Sequence, residues 1–303
     1  MDKRSGILLV DKFTGMTSHD VVILLRRRLG IKSIGHGGTL DPMATGLLIV
    51  LIGEGTKLSQ FIANCDKTYE ARLVLGTETD SNDKDGTITN TSEINVNESE
   101  ITAVFGEFKG DIMQTPPYVS AIKHKGKPLY EYSRSGVLIK PAPKTVKVYD
   151  LKINKISIPY VEFTLFSSKG FYVRALARDI GARLGCGAHL DYLRRLTIGN
   201  FSVDRAIPVN EIGNASIEEI EKRIIPLSDS LSEWVPVVID NSDLAAVRNA
   251  NQALIKNLLD KESVTGGKGF KLLDKDSRLV ALVRCKGASD KIEPEILRIF
   301  NDN

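Results

Sequence analysis

Apolar positions along the chain follow two periods, and the places where the period changes mark its elements. Ile7-Leu8-Leu9-Val10 and Leu47 to Ile52 are continuous apolar runs of strand length, as expected of strands buried on both faces. Between them, Thr17 with Asp20 three residues later fits a capping box. Val21, Val22, Leu24, Leu25 and Leu29 then form a helical stripe that Gly30 closes. Arg26, Arg27 and Arg28 fall in the last turn, where cations complement the helix dipole. Gly53 to Lys57 reads as a turn, and Leu58, Phe61 and Ile62 as a short helix. From Tyr69 the period becomes two: Tyr69, Ala71, Leu73 and Leu75 share one face.

Gly76 to Glu100 is polar and reads as a long loop or excursion, followed by a short helix over Ile101 to Phe108. Gln114-Thr115-Pro116-Pro117 suits neither helix nor central strand. Val161, Phe163 and Leu165 predict another strand. Leu176, Ile180 and Leu184 predict a helix that Gly185 and Gly187 close. Ile217 to Ile225 reads as a helix, and beyond Trp234 short strands dominate: Lys271 to Leu273, Leu279 to Cys285 and Ile296 to Phe300. Gly266-Gly267-Lys268-Gly269 is a turn among them. A large mixed α/β unit followed by a small β-rich module is therefore expected.

Composition narrows the class. At 303 residues the chain can hold a large and a small domain, and its net charge of +3 is only mildly basic. Three widely spaced cysteines, Cys65, Cys186 and Cys285, give no disulfide framework and point to a reduced, cytoplasmic setting. No apolar run is long enough to cross a bilayer, and the start does not read as a signal peptide. The basic residues cluster, however. Lys123, Lys125, Lys127, Arg134, Lys140, Lys144 and Lys147 alternate with Tyr130 and Tyr132, which fits either a nucleic-acid face or a solvated surface.

Most catalytic motifs are absent. The four histidines do not pair with one another or with cysteines at ligand spacing. Gly35-His36-Gly37 lacks the third glycine of a dinucleotide fingerprint, and Ser81 to Ser92 lacks the closing glutamate of a calcium loop. What stands out is Gly35-His36-Gly37-Gly38-Thr39-Leu40-Asp41-Pro42, a lone carboxylate on a glycine turn. Asp41 can be a nucleophile there, or an N-cap with proline at the first helical position; spacing alone leaves both open. Tyr69 and Arg174 are, by pattern alone, a strand aromatic and an arginine at a helix start.

Taken together, these segments resemble the TruB family of tRNA pseudouridine synthases. The turn around Asp41 is similar to the family signature, and Asp11-Lys12-x-x-Gly15-Met16-Thr17-Ser18 resembles its N-terminal motif, with Phe13 where proline is usual. Gly53 to Lys57, Asp66-Lys67-Thr68-Tyr69, Ser168 to Arg174, Gly185 to Leu190 and Tyr192 to Leu196 match in order and spacing, from residue 5 to about residue 205. The resemblance implies a mixed, mainly antiparallel core with flanking helices over 1–232 and a PUA-like RNA-binding domain over 233–303.

It also implies isomerisation of uridine-55 in the tRNA T loop, without metal or cofactor. Asp41 would be the nucleophile, Tyr69 would stack on the base, and Arg174 would pair with Asp41. His36, Tyr172 and Leu193 would line the pocket. Lys123, Lys125, Lys127, Arg134 and Arg178 would meet the RNA backbone. A non-catalytic RNA-binding protein would have no need of a carboxylate beside RNA. A guide-dependent ribonucleoprotein synthase shares the core, but no extended lysine-rich tail is present, so stand-alone action as a monomer, with no obligate protein partner, is the expectation.

Overall fold

The computed structural model describes residues 4–120, 122–260, 269–286 and 293–301. Its core is one ten-stranded sheet. The main strands are β1 (Gly6–Lys12), β2 (Thr45–Ile52), β3 (Lys67–Leu75), β4 (Gly110–Gln114), β5 (Lys144–Ser157), β6 (Tyr160–Ser167) and β7 (Ala188–Ile198). They lie in the order β1-β2-β7-β3-β6-β5-β4. Ile207–Pro208 extends the β1 edge, and Ile34–His36 and Phe201–Ser202 pair with β2 and β7. All main pairings are antiparallel except that of β2 with β7, a two-residue parallel seam joining Arg194 to Thr45 and Arg195 to Gly46.

Three helices cover one face: α1 (Ser18–Leu29), α2 (Glu98–Glu107) and α3 (Val173–Leu184). The capping box at Thr17 forms as expected, with Asp20 N donating to Thr17 Oγ1 and Thr17 N to Asp20 Oδ2. Gly30 ends α1 in the left-handed region. Val21, Val22, Leu25, Leu176 and Ile180 bury against Leu48, Val50, Leu73 and Phe163 in the main core.

Behind the other face of β1 and β2 sits the small module. Its sheet runs β8 (Val235–Val238), β9 (Gly269–Leu273), β10 (Leu279–Lys286), β11 (Glu293–Ile299). Leu273, Leu279, Leu282 and Phe300 share a hydrophobic core with Ile7, Leu9, Leu47 and Ile49. Lys57 Nζ donates to the Ile299 carbonyl across this joint, and Trp234 meets Phe61 edge-on at 5.5 Å.

Several sequence expectations need correction. The Gly76 to Glu100 stretch is not a bare loop: Thr77–Thr79 pairs with Ile88–Thr91, and α2 starts at Glu98. β4 and β5 had no predicted counterpart. In β5 the outward lysines of an edge region mask Val146, Val148 and Leu151, and register shifts after Val148 and Ile153 break the two-residue alternation. Tyr192 to Leu196, for which no element was predicted, is part of β7, which also carries two register shifts. The helix from Ile217 stops at Glu221. The small module carries two helices, Leu244–Arg248 and Gln252–Asp260, as well as its strands. Most of its expected glycine turn, Gly266 to Lys268, lies outside the described residues.

Candidate active site

The site forms at the β2–β7 seam. Gly46 permits this junction: its φ is +97°, and a Cβ there would drive into the backbone of Arg195. The segment preceding β2 is therefore carried close to β7 and β3. Within it, Ala44 N donates to the Asp41 carbonyl at 3.1 Å, and Pro42 and Met43 form a turn. No helix begins at Pro42, so the N-cap reading of Asp41 does not hold.

Beneath this turn lies Lys12, wholly buried, donating from Nζ to the carbonyls of Phe13, Met16 and Pro42 at 3.1, 2.8 and 3.3 Å. Burial pulls its pKa down to about 8, and the charge of Asp41 opposes that shift.

Asp41 is about one-third exposed, while Arg174 beside it is almost fully buried. Arg174 Nε lies 2.9 Å from Oδ2, and Nη2 donates to Oδ1 at 3.3 Å. The remaining donors take the Ser81 carbonyl at 3.0 Å and the Val119 carbonyl at 2.9 Å, and Asp83 Oδ2 stands 3.4 Å from Nη1. Arg174 reaches this point because α3 starts just after Tyr172, whose backbone is latched by buried Gln114. Gln114 Nε2 donates to the Tyr172 carbonyl at 3.0 Å, and Tyr172 N donates to Gln114 Oε1 at 2.8 Å. The latch fixes the residue that precedes a helix with no side-chain cap of its own.

Tyr69 is buried on β3, and burial pushes its phenol up from the usual range while the charge of Arg195 pulls the other way. Asp41 acts on the same phenol. Leu193, also buried, lies two residues from Arg195 on β7. The Tyr172 ring carries Lys144 Nζ 4.7 Å from its centroid. His36 is half-buried, with its pKa lowered chiefly by burial and then by Arg195; its buried Nδ1 has no partner.

The structure thus brings Asp41, Tyr69 and Arg174 together. Lys123, Lys125 and Lys127 are exposed on a small hairpin, and the side chain of Arg134 lies outside the described residues. Arg178 is half-buried: Nη2 donates to the Thr115 carbonyl at 3.0 Å and Nε to Asp179 at 2.8 Å. Those donors brace the protein rather than face outward.

Two neighbours were missed by sequence reasoning. Asp83 comes from the polar stretch read as loop; burial raises its pKa, and Ser81 Oγ donates to it at 2.5 Å. Its only signal was an acidic turn. Nothing in the spacing of Arg195 separated it from Arg194, which forms a bidentate pair with Asp11.

Comparison with known proteins shows the family of the chain. Residues 26–173 match the TruB family pseudouridylate synthase N-terminal domain, and residues 174–232 the tRNA pseudouridylate synthase B C-terminal domain. The chain is 40% identical to tRNA pseudouridine synthase B of Syntrophus aciditrophicus over 98% of its own length and 99% of that protein. It is 48% identical to the Opitutus terrae protein of the same name, over 73% of this chain and 92% of that one. Among solved structures, a chain of the archaeal box H/ACA sRNP Nop10–Cbf5 complex superposes with a TM-score of 0.70 at 25% identity, covering 97% of this chain and 85% of that one. A chain of a Cbf5–Nop10–Gar1 complex gives the same score at 26% identity, covering 97% and 84%. With the fold, the relatives and the family models in agreement, the chain belongs to the TruB family of pseudouridylate synthases.

Proposed function

We propose that this protein isomerises uridine-55 in the T loop of tRNA to pseudouridine, with Asp41 as the nucleophile. The observation that carries the reading is one partly exposed carboxylate held on both oxygens by a buried arginine. The tRNA pseudouridine synthase B relatives support the reaction and the substrate.

In this reaction the C1′–N1 bond of uridine breaks, the uracil turns, and a C1′–C5 bond forms. The C5 proton leaves and N1 ends protonated. Nothing is oxidised or hydrolysed, so the chemistry calls for no cofactor. A carboxylate can add to C6 of the base or displace the base at C1′. Either attack requires a fixed oxygen, and a two-point guanidinium contact provides one.

The uridine has to leave its stack to reach Asp41. Tyr69 offers the face for it and Tyr172 a second aromatic wall, with Leu193 closing the apolar side. His36 presents a neutral imidazole with a free buried nitrogen. Lys123, Lys125 and Lys127 grip phosphates, a contribution that weakens with salt. Residues 1–232 form the catalytic unit, and residues 233–303 a PUA-like module that extends the RNA surface. The protein acts as a monomer in the cytoplasm, without an obligate protein partner.

The test is to incubate the purified protein alone with an unmodified tRNA transcript and map pseudouridine. Modification at the T-loop uridine is expected. A transcript left unmodified, or modified only elsewhere, contradicts the reading.

A further inference from the structure

We propose that Arg195 is a positioning residue that locks the Asp41 turn and the Tyr69 hydroxyl against each other. The proposal rests on the reading of Asp41 and Tyr69 given above. In strand register Arg195 stands opposite Tyr69 on β3 and opposite Gly46 on β2. Its side chain is only 2% exposed.

Nε donates to the Leu47 carbonyl at 2.8 Å, Nη1 to the Thr39 carbonyl at 3.2 Å, and Nη2 to the Gly38 carbonyl at 3.0 Å. Gly38 and Thr39 immediately precede Leu40 and Asp41, so two of these bonds fix the approach to the nucleophile. A guanidinium offers five N–H donors in one plane. The three carbonyls leave donors over for the Tyr69 hydroxyl, since Tyr69 is the strand partner of Arg195 and its phenol acts on the same guanidinium.

No described carboxylate forms an ion pair with Arg195; Asp41 is the carboxylate whose charge acts on it. Burying a cation in this way costs free energy that an apolar side chain of similar volume would not. A purely apolar filler could pack the seam, but it could not bridge the nucleophile's turn and the stacking tyrosine.

Arg195→Lys keeps the charge and loses the fork. In single-turnover and steady-state assays on tRNA, its kcat is expected to fall about 10²-fold, as for a displaced catalytic group. KM is expected to stay within about threefold, because no RNA contact is removed. In a Tyr69→Phe background the same substitution is expected to cost much less, because part of its effect passes through the hydroxyl. Unchanged kcat, or losses that simply multiply, overturns the proposal.

A second measurement leaves Arg195 in place. In protein with isotope-labelled arginine, Tyr69→Phe is expected to shift the Arg195 guanidinium resonances, and unshifted resonances overturn the proposal even if Arg195→Lys does not fold. Asp41→Asn in the same assays separates the two levels. An active Asp41→Asn sinks the reading of the site, whereas an inactive one beside an unimpaired Arg195→Lys sinks only the role of Arg195.

Discussion

Arg174 meets Asp41 along its Nε edge, with Nε 2.9 Å from Oδ2 and Nη2 3.3 Å from Oδ1, while Nη1 turns to Ser81 and Asp83. One buried group thus orders three chain segments that are far apart in sequence. A lysine ammonium cannot span these acceptors, since it is a point charge rather than a fork. Arg174→Lys is expected to lower kcat about 10²-fold through loss of carboxylate alignment. KM for tRNA should change little, because Arg174 lies beneath the surface. Single-turnover kinetics on folded variant protein check this.

The seam beside Arg195 depends on the absence of a side chain at Gly46. Gly46→Ala adds a clash with the Arg195 backbone to a φ of +97°. It is expected to destabilise the protein by about 2–4 kcal/mol. Gly15 is the control: its φ is +86°, but an added Cβ would meet nothing within 4 Å. Gly15→Ala should cost only backbone strain, about 1 kcal/mol. Urea midpoints of the two variants, compared with the parent, measure the difference.

Lys12 makes the foundation of the Asp41 turn sensitive to pH. Its folded pKa is lowered by burial to about 8, against 10.5 for the free side chain. Between those values the unfolded chain holds a proton that the folded chain has released. The contribution of Lys12 to stability therefore rises with pH across that window, and its cost is greatest below it. Relative to Lys12→Met, the parent protein is expected to gain stability as pH rises from about 8 to 10.5. Denaturant midpoints of both proteins across that range give the slope; a constant difference would contradict the burial of a charged Lys12.

Elements with one clean period were legible from residues alone. The α1 helix carried its capping box and closing glycine, and β1, β2 and β3 carried uninterrupted apolar or alternating patterns. β5 and β7 were not legible, because register shifts move their side chains out of step with a two-residue count. Asp41, Tyr69 and Arg174 could be singled out only through the joint resemblance of several segments, since each alone fits an ordinary structural role. Asp83 and Arg195 escaped for a different reason. Their importance comes from long-range contacts, at 91 and 154 positions' distance from Arg174 and Asp41 respectively, that no local spacing encodes.

The central claim is that Asp41 attacks a flipped uridine. Its most direct test is tritium release from tRNA carrying 5-tritiated uridine, because release reports loss of the C5 proton. The parent protein is predicted to release tritium in proportion to pseudouridine formed. Asp41→Asn keeps the shape of the side chain but removes the nucleophile, and is predicted to lower the rate about 10⁴-fold or more while still binding tRNA. Release by Asp41→Asn at a rate near that of the parent would contradict the account.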